Sequence, residues 1–160
     1  MDRADIAAEQ WARERPDLRT LPMAVFGRLN EAAERVMREH MDPLFARAGL
    51  QSGEFDVLAT LRRSGEPYML SPTQLYEAAM ISSGGMTDRL DRLERAGLVV
   101  RRPDPKDRRG KLIVLTDPGK RLIDEAIGRH VANEERLLLS LTQAEQETLD
   151  ALLRKLIAGL

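Results

Sequence analysis

Two apolar runs, Leu98-Val99-Val100 and Leu112-Ile113-Val114-Leu115, bracket a segment in which six of the eight residues from Asp104 to Lys111 are charged. Short runs rich in valine and isoleucine read as strands. No protein interior holds such a segment, because burying unpaired charge costs far more than packing returns. The chain must therefore fold back on itself, strand to strand, around a tip that projects into solvent. Everything on either side has to be arranged around that projection.

The flanking sequence is helical. Before the hairpin, Ser71-Pro72-Thr73-Gln74 reads as an N-cap, a proline at the first helical position and the glutamine of a capping box, opening a helix to about Ala79. Ile81 is the turn, Ser82 or Ser83 caps a second helix to Ala96, and Gly97 stops it. Further upstream, residues 5–15 suit a short helix ended by Pro16. Residues 22–48 place Met23, Phe26, Leu29, Ala33, Val36 and Met37 at helical spacing before Gly49, with Pro43 expected to kink or divide them. Ser52 is expected to cap a helix over 53–64, closed by Gly65. After the hairpin, Thr116-Asp117-Pro118 starts a long helix to about Leu139, and Thr142-Gln-Ala-Glu145 opens a last one over 143–158. The order predicts a mainly α protein with a small β-hairpin wing: a winged helix–turn–helix with helical extensions at both ends.

Composition narrows the chemistry. The chain has 160 residues and no cysteine, which removes thiol catalysis, disulfides and thiolate metal sites. No apolar run approaches the length of a membrane span, and the charged N-terminus lacks a signal-peptide pattern, so a soluble, cytoplasmic protein is expected. His40 and His130 are not at metal-ligand spacing, and no nucleophile–base pair or phosphate-binding glycine loop is present; neither an enzyme nor a resident cofactor is expected. Net charge is −1, but residues 61–121 hold 13 Lys/Arg against 8 Asp/Glu, while the remainder holds 12 against 18. A basic middle between acidic flanks suits a surface aimed at a polyanion, with double-stranded DNA as the natural partner.

In the second helix of the pair, Met86, Leu90 and Leu93 form the expected buried stripe. Gly84, Asp88, Asp91 and Arg95 lie opposite, with Thr87 and Arg92 at the margins. Such a helix enters the major groove N-terminus first, while hydroxyls and backbone N–H groups meet phosphates. The candidate DNA-contacting set is therefore Ser71, Thr73, Ser82, Ser83, Gly84, Thr87, Asp88 and Arg92, with Lys106, Asp107, Arg108, Arg109 and Lys111 at the wing. A wing arginine gains from the negative potential of a narrow minor groove, and Asp107 is close enough in sequence to hold one in position. The plainer alternative is an ordinary hairpin whose charges keep it solvated.

The stretch SPTQLYEAAMISSGGMTDRLDRLERAGLVVRRPDPKDRRGKLIVLTDPGK, with its Asp107-Arg108-Arg109-Gly110 wing signature, resembles the MarR family of transcriptional regulators. The resemblance implies one domain over 1–160: an extra helix at 5–15, dimerisation helices at 22–48 and 118–160, and a DNA-binding lobe at 53–116. It also implies a homodimer on a pseudo-palindromic operator. QWARERPDL, GEFDVLATLRR and SSGGMTDR further resemble the urate-responsive branch, which implies a ligand set of Trp11, Asp56, Arg63 and Arg89 and a repressor released by urate. Gly84-Gly85 departs from the Gly-Ala expected there. Asp56 and Arg63, seven residues apart, share one helical stripe about 10 Å apart along the axis, and Arg89 flanks the core side of its helix with Asp56 as a natural partner. The duller readings are a fixed Asp56–Arg89 salt bridge, a Trp11 that only anchors its helix, and a solvated Arg63. Two functional alternatives stand beside urate release: an aromatic or citrate-like acid as effector, and a winged helix used as a protein-docking module.

Overall fold

The computed structural model describes residues 1–80 and 85–160, apart from the side chains of Arg108 and Arg109. The expected contacts of Ser82, Ser83, Gly84, Arg108 and Arg109, and the turn at Ile81, lie outside the described residues. The chain divides into two compact units, Met1–Arg47 and Ala48–Leu160.

In the first unit, α1 (Arg3–Glu14) begins earlier than its sequence pattern suggests, because Asp2 and Asp5 close a reciprocal capping box. The Asp5 N–H donates to Asp2 at 2.9 Å and the Asp2 N–H to Asp5 at 3.1 Å. Arg28 of α2 (Leu21–Arg35) donates to the same two carboxylates, pinning the N-terminus of α1 to α2. α2 runs into a π-helical turn, Val36–Met41, and then α3 (Asp42–Arg47). The Asp42 N–H reaches the Met37 carbonyl, five residues back. Pro43 follows immediately. A wider turn is the usual accommodation where a proline ring would collide with the carbonyl four residues earlier, so Pro43 alters the winding of this helix instead of ending it.

The second unit holds the helix–turn–helix and the wing. α4 (Ser52–Arg63) is capped by Gln51, not by the expected Ser52. Gln51 is extended, and its N–H donates to Glu54 Oε2 at 2.8 Å, three residues on; with Glu54 able to reach back, Ser52 becomes the first helical residue. α5 (Pro72–Ala78) has the predicted Ser71/Gln74 box. α6 (Met86–Arg95) starts later than expected. Its N-cap, Gly85, sits at φ +77, a left-handed conformation that cannot lie inside the helix. Leu90 and Leu93 are buried as predicted, whereas Met86 is only half-buried.

The hairpin is not two-stranded but part of a three-stranded antiparallel sheet, in the order β1-β3-β2. β2 (Val99–Asp104) pairs with β3 (Asp107–Leu115) from Val99↔Leu115 to Pro103↔Lys111, with an irregularity before Asp104↔Asp107. The additional strand, β1 (Met69–Leu70), pairs Met69 with Val114 and Leu70 with Ile113 on the other edge of β3. Two residues carry no periodicity, so nothing in the sequence announced it. Thr116 then joins sheet to helix: its hydroxyl donates to the Gly97 carbonyl at 2.7 Å and accepts the Gly119 N–H at 3.1 Å, starting α7 (Asp117–Leu137). A Thr142/Glu145 box starts α8 (Gln143–Ile157). The core of this unit gathers Leu58 and Leu61 of α4, Leu75 of α5, Leu93 of α6, Val99 and Ile113 of the sheet and Ile123 of α7, all essentially inaccessible to solvent. No helix among the described residues is long and apolar enough to cross a membrane.

Candidate nucleic-acid interface and effector site

α6 is held from two sides. Arg92 donates through Nε to Glu54 Oε1 at 2.5 Å and through Nη2 to Gln51 at 3.0 Å. The Glu54 side chain is only 8% exposed. Its carboxylate therefore caps α4 with one oxygen and grips α6 with the other. On the opposite side, Arg101 of β2 donates to Asp91 at 2.6 Å and to Glu94, while its own N–H donates to Glu94 at 2.9 Å. That N–H, then the guanidinium, hold the Glu94 carboxyl below the usual glutamate range. Arg95 Nε turns back to the Asp91 carbonyl at 3.2 Å. Three of the charged side chains of α6 expected at or beside the DNA surface, Asp91, Arg92 and Arg95, are thus engaged within the protein.

Of the predicted DNA-contacting set, Thr73, Thr87, Asp88, Lys106, Asp107 and Lys111 are exposed. Ser71 accepts the Gln74 N–H at 3.2 Å with one lone pair of its hydroxyl, which leaves a second lone pair and the hydroxyl proton. At the wing tip Asp104 accepts the Lys106 N–H at 2.8 Å, which bends the chain between the strands.

The effector residues implied by the resemblance are divided between the units. Trp11 lies on α1, 43% exposed. In the second unit, Asp56 accepts the Met80 N–H at 2.9 Å. Arg63, seven residues on, donates to the Ala78 carbonyl and to Thr60 Oγ1 at 3.2 Å. The two side chains hold the same short exit of α5, one by a carbonyl and one by an amide. Arg89 Nε lies where a Cβ on Gly53 would be, at 2.3 Å, so the guanidinium stem passes directly over that glycine. Burial pushes the Asp56 carboxyl above its ordinary value, against the Met80 N–H and the charges of Arg63 and Arg89, which favour the carboxylate. The sequence pointed to Asp56, Arg63 and Arg89 but missed Glu54 and Arg101. Glu54 carried one signal, its place three residues after Gln51; Arg101 carried none, since its partners sit on another element.

A two-helix unit followed by a hairpin wing on a helical frame defines the winged helix–turn–helix regulators. The MarR family model matches residues 48–110. The chain is 45% identical to the HTH-type transcriptional regulator PecS of Dickeya dadantii over 145 residues, 91% of this chain and 87% of that one. It therefore belongs to the MarR family and is a regulator of transcription, not an enzyme. Among solved structures, Sco3205 from Streptomyces coelicolor in complex with DNA matches with a TM-score of 0.79 at 28% identity, covering 89% of both chains. BpsR of Bordetella bronchiseptica, whose DNA binding is regulated by 6-hydroxynicotinic acid, matches with a TM-score of 0.66 at 26% identity over 81% of this chain and 98% of that one.

Proposed function

We propose that this protein is a homodimeric repressor that binds a pseudo-palindromic operator through α6 and the wing and is released by urate or a related planar anion. The observation that carries the effector reading is the joint grip of Asp56 and Arg63 on the exit of α5. An anion at this place is attracted by Arg63 and Arg89 and competes with the Ala78 carbonyl for the Arg63 guanidinium. Asp56 repels it, and its hold on the Met80 N–H is strained in turn. Both contacts belong to the segment leading out of α5, so breaking them frees the link between the two helices of the DNA-binding pair. DNA and effector then favour different arrangements, and each must weaken the other by the same factor.

Unpartnered apolar surface supports the dimer. Phe26 on α2, Leu152 and Ile157 on α8 and Leu139 between α7 and α8 are all more than half exposed in the single chain, on the terminal helical regions where a second copy would cover them. A different effector is the second reading, favoured by BpsR, which responds to 6-hydroxynicotinic acid. The deciding test is fluorescence anisotropy of a labelled duplex from the gene's own upstream region, at fixed salt, with urate or an aromatic carboxylate titrated in. Release by urate supports the proposal. Tight binding indifferent to urate but reversed by the carboxylate transfers the site to the other effector class, and no binding to any duplex favours the docking-module reading.

A further inference from the structure

Among the described charged residues of α6 two are exposed, Asp88 in the first turn and Arg95 in the last. Arg92 is held by Glu54 and Gln51, Asp91 and Glu94 by Arg101, and Arg95 by the Asp91 carbonyl. The Arg89 stem passes over Gly53. Asp88, in the first turn of the helix, is exposed and has no ion pair among the described residues. This is the turn that leads into the major groove if the helix docks as proposed above. A bare carboxylate carried toward a double row of phosphates is repelled by them unless a base edge offers it a donor.

We infer that Asp88 reads a base, and that each operator half-site carries a cytosine at the position it faces. The inference rests on the DNA-binding reading. In the major groove guanine presents only the acceptors N7 and O6, and thymine presents the acceptor O4 beside a methyl group. A carboxylate accepts hydrogen bonds and donates none, so both edges repel it. Adenine has a donor at N6, but its N7 acceptor stands beside that donor and repels the second carboxylate oxygen. Cytosine presents the N4 amino group without an acceptor on the same edge, and it is the base that aspartate accepts from. Asp88 therefore admits one base and opposes the other three. Thr87, exposed beside it, has a methyl and a hydroxyl that tolerate either kind of neighbour.

The duller role for a first-turn carboxylate is to stabilise the helix through its dipole. That role appears in thermal stability and leaves base preference untouched. The test is selection from a duplex library with a randomised core by the full-length protein, followed by sequencing, for wild type, Asp88→Ala and Asp88→Asn, with melting curves of all three. Wild type is expected to enrich symmetric sites with a roughly ten- to hundredfold preference for C·G at one position in each half. Asp88→Ala flattens that position alone, and Asp88→Asn moves it toward adenine, whose N6 and N7 an amide engages together. If Asp88→Ala keeps every preference and binds all duplexes more tightly, the carboxylate contributes only charge and the inference is overturned. If wild type enriches no sequence, the DNA-binding reading fails first and takes this one with it.

Discussion

Arg92 and Glu54 stand 38 residues apart in the chain and 2.5 Å apart in the fold, and the contact between them fastens α6 to the first turn of α4. Glu54 is buried and Arg92 about one-third exposed, so the pair is neither a loose surface bridge nor a fully dry one. Removing one partner leaves the other poorly solvated. Arg92→Met strands a buried carboxylate, and Glu54→Ala removes the α4 cap as well. Each single substitution is expected to cost about 2 kcal/mol, with Glu54→Ala the larger. Urea denaturation of both singles and the double checks this: the double mutant should be destabilised by clearly less than the sum of the singles.

The two arginine classes of the wing region should separate in salt titrations. Arg101 ties β2 to Asp91 and Glu94 of α6, so its guanidinium is committed within the protein. Arg101→Ala is expected to weaken operator binding by misplacing the wing, with the slope of log K against log salt unchanged. Arg109→Ala, at the tip, should weaken binding to all sequences and make the slope shallower by about one unit for each phosphate that is no longer neutralised. Equal slopes for the two variants would remove the distinction.

Gly53 offers a way to move Arg89 without touching it. A Cβ at this position would lie 2.3 Å from Arg89 Nε and 2.8 Å from its Cδ, both in a flexible side chain that can swing away. Gly53→Ala is therefore expected to change stability by less than about 1 kcal/mol, since alanine also favours the helix, while the effector response falls severalfold. At Gly119 the same substitution meets the Leu98 carbonyl oxygen at 2.1 Å, which is backbone and cannot yield. Gly119→Ala should cost more than about 2 kcal/mol. Thermal melts and urate-release curves of the two variants distinguish the cases.

Asp56 makes stability depend on pH in a stated direction. Burial raises its carboxyl above the unfolded value of about 3.9. Below the unfolded value the group is protonated in both states and contributes nothing. As pH rises through the folded value the buried carboxylate becomes a cost, fully present at neutral pH. Asp56→Asn should thus raise stability at pH 7 by a few tenths to about 1 kcal/mol, a figure reduced for its half-exposed setting. The gain should vanish toward pH 3, and effector response should be impaired throughout. Glu94 runs the other way: its lowered carboxyl keeps the Arg101 contact until pH falls below the ordinary glutamate range. Denaturation midpoints of wild type and Asp56→Asn across this pH range, with urate titrations alongside, test the Asp56 prediction.

By itself the sequence determined the main helices, the hairpin and their order. Local chemistry sufficed for that: the Ser71, Thr116 and Thr142 caps, the glycine stops, and a hairpin forced outward by its charged tip. The same reading reached Asp56, Arg63 and Arg89, because a family resemblance marks positions even where geometry is unknown. Tertiary structure alone decided the partners. Cap choice at Gln51 over Ser52 depends on Glu54, whose other oxygen is committed to a helix 38 residues away. The start of α6 depends on the left-handed Gly85, and β1 exists only because β3 has a free edge beside it. Arg92, read along its helix, belongs to the outer margin; in the fold it turns inward, because a buried carboxylate needs a cation more than a solvated helix face does. Periodicity records which face a residue occupies, and hydrogen bonding across elements records what it does there.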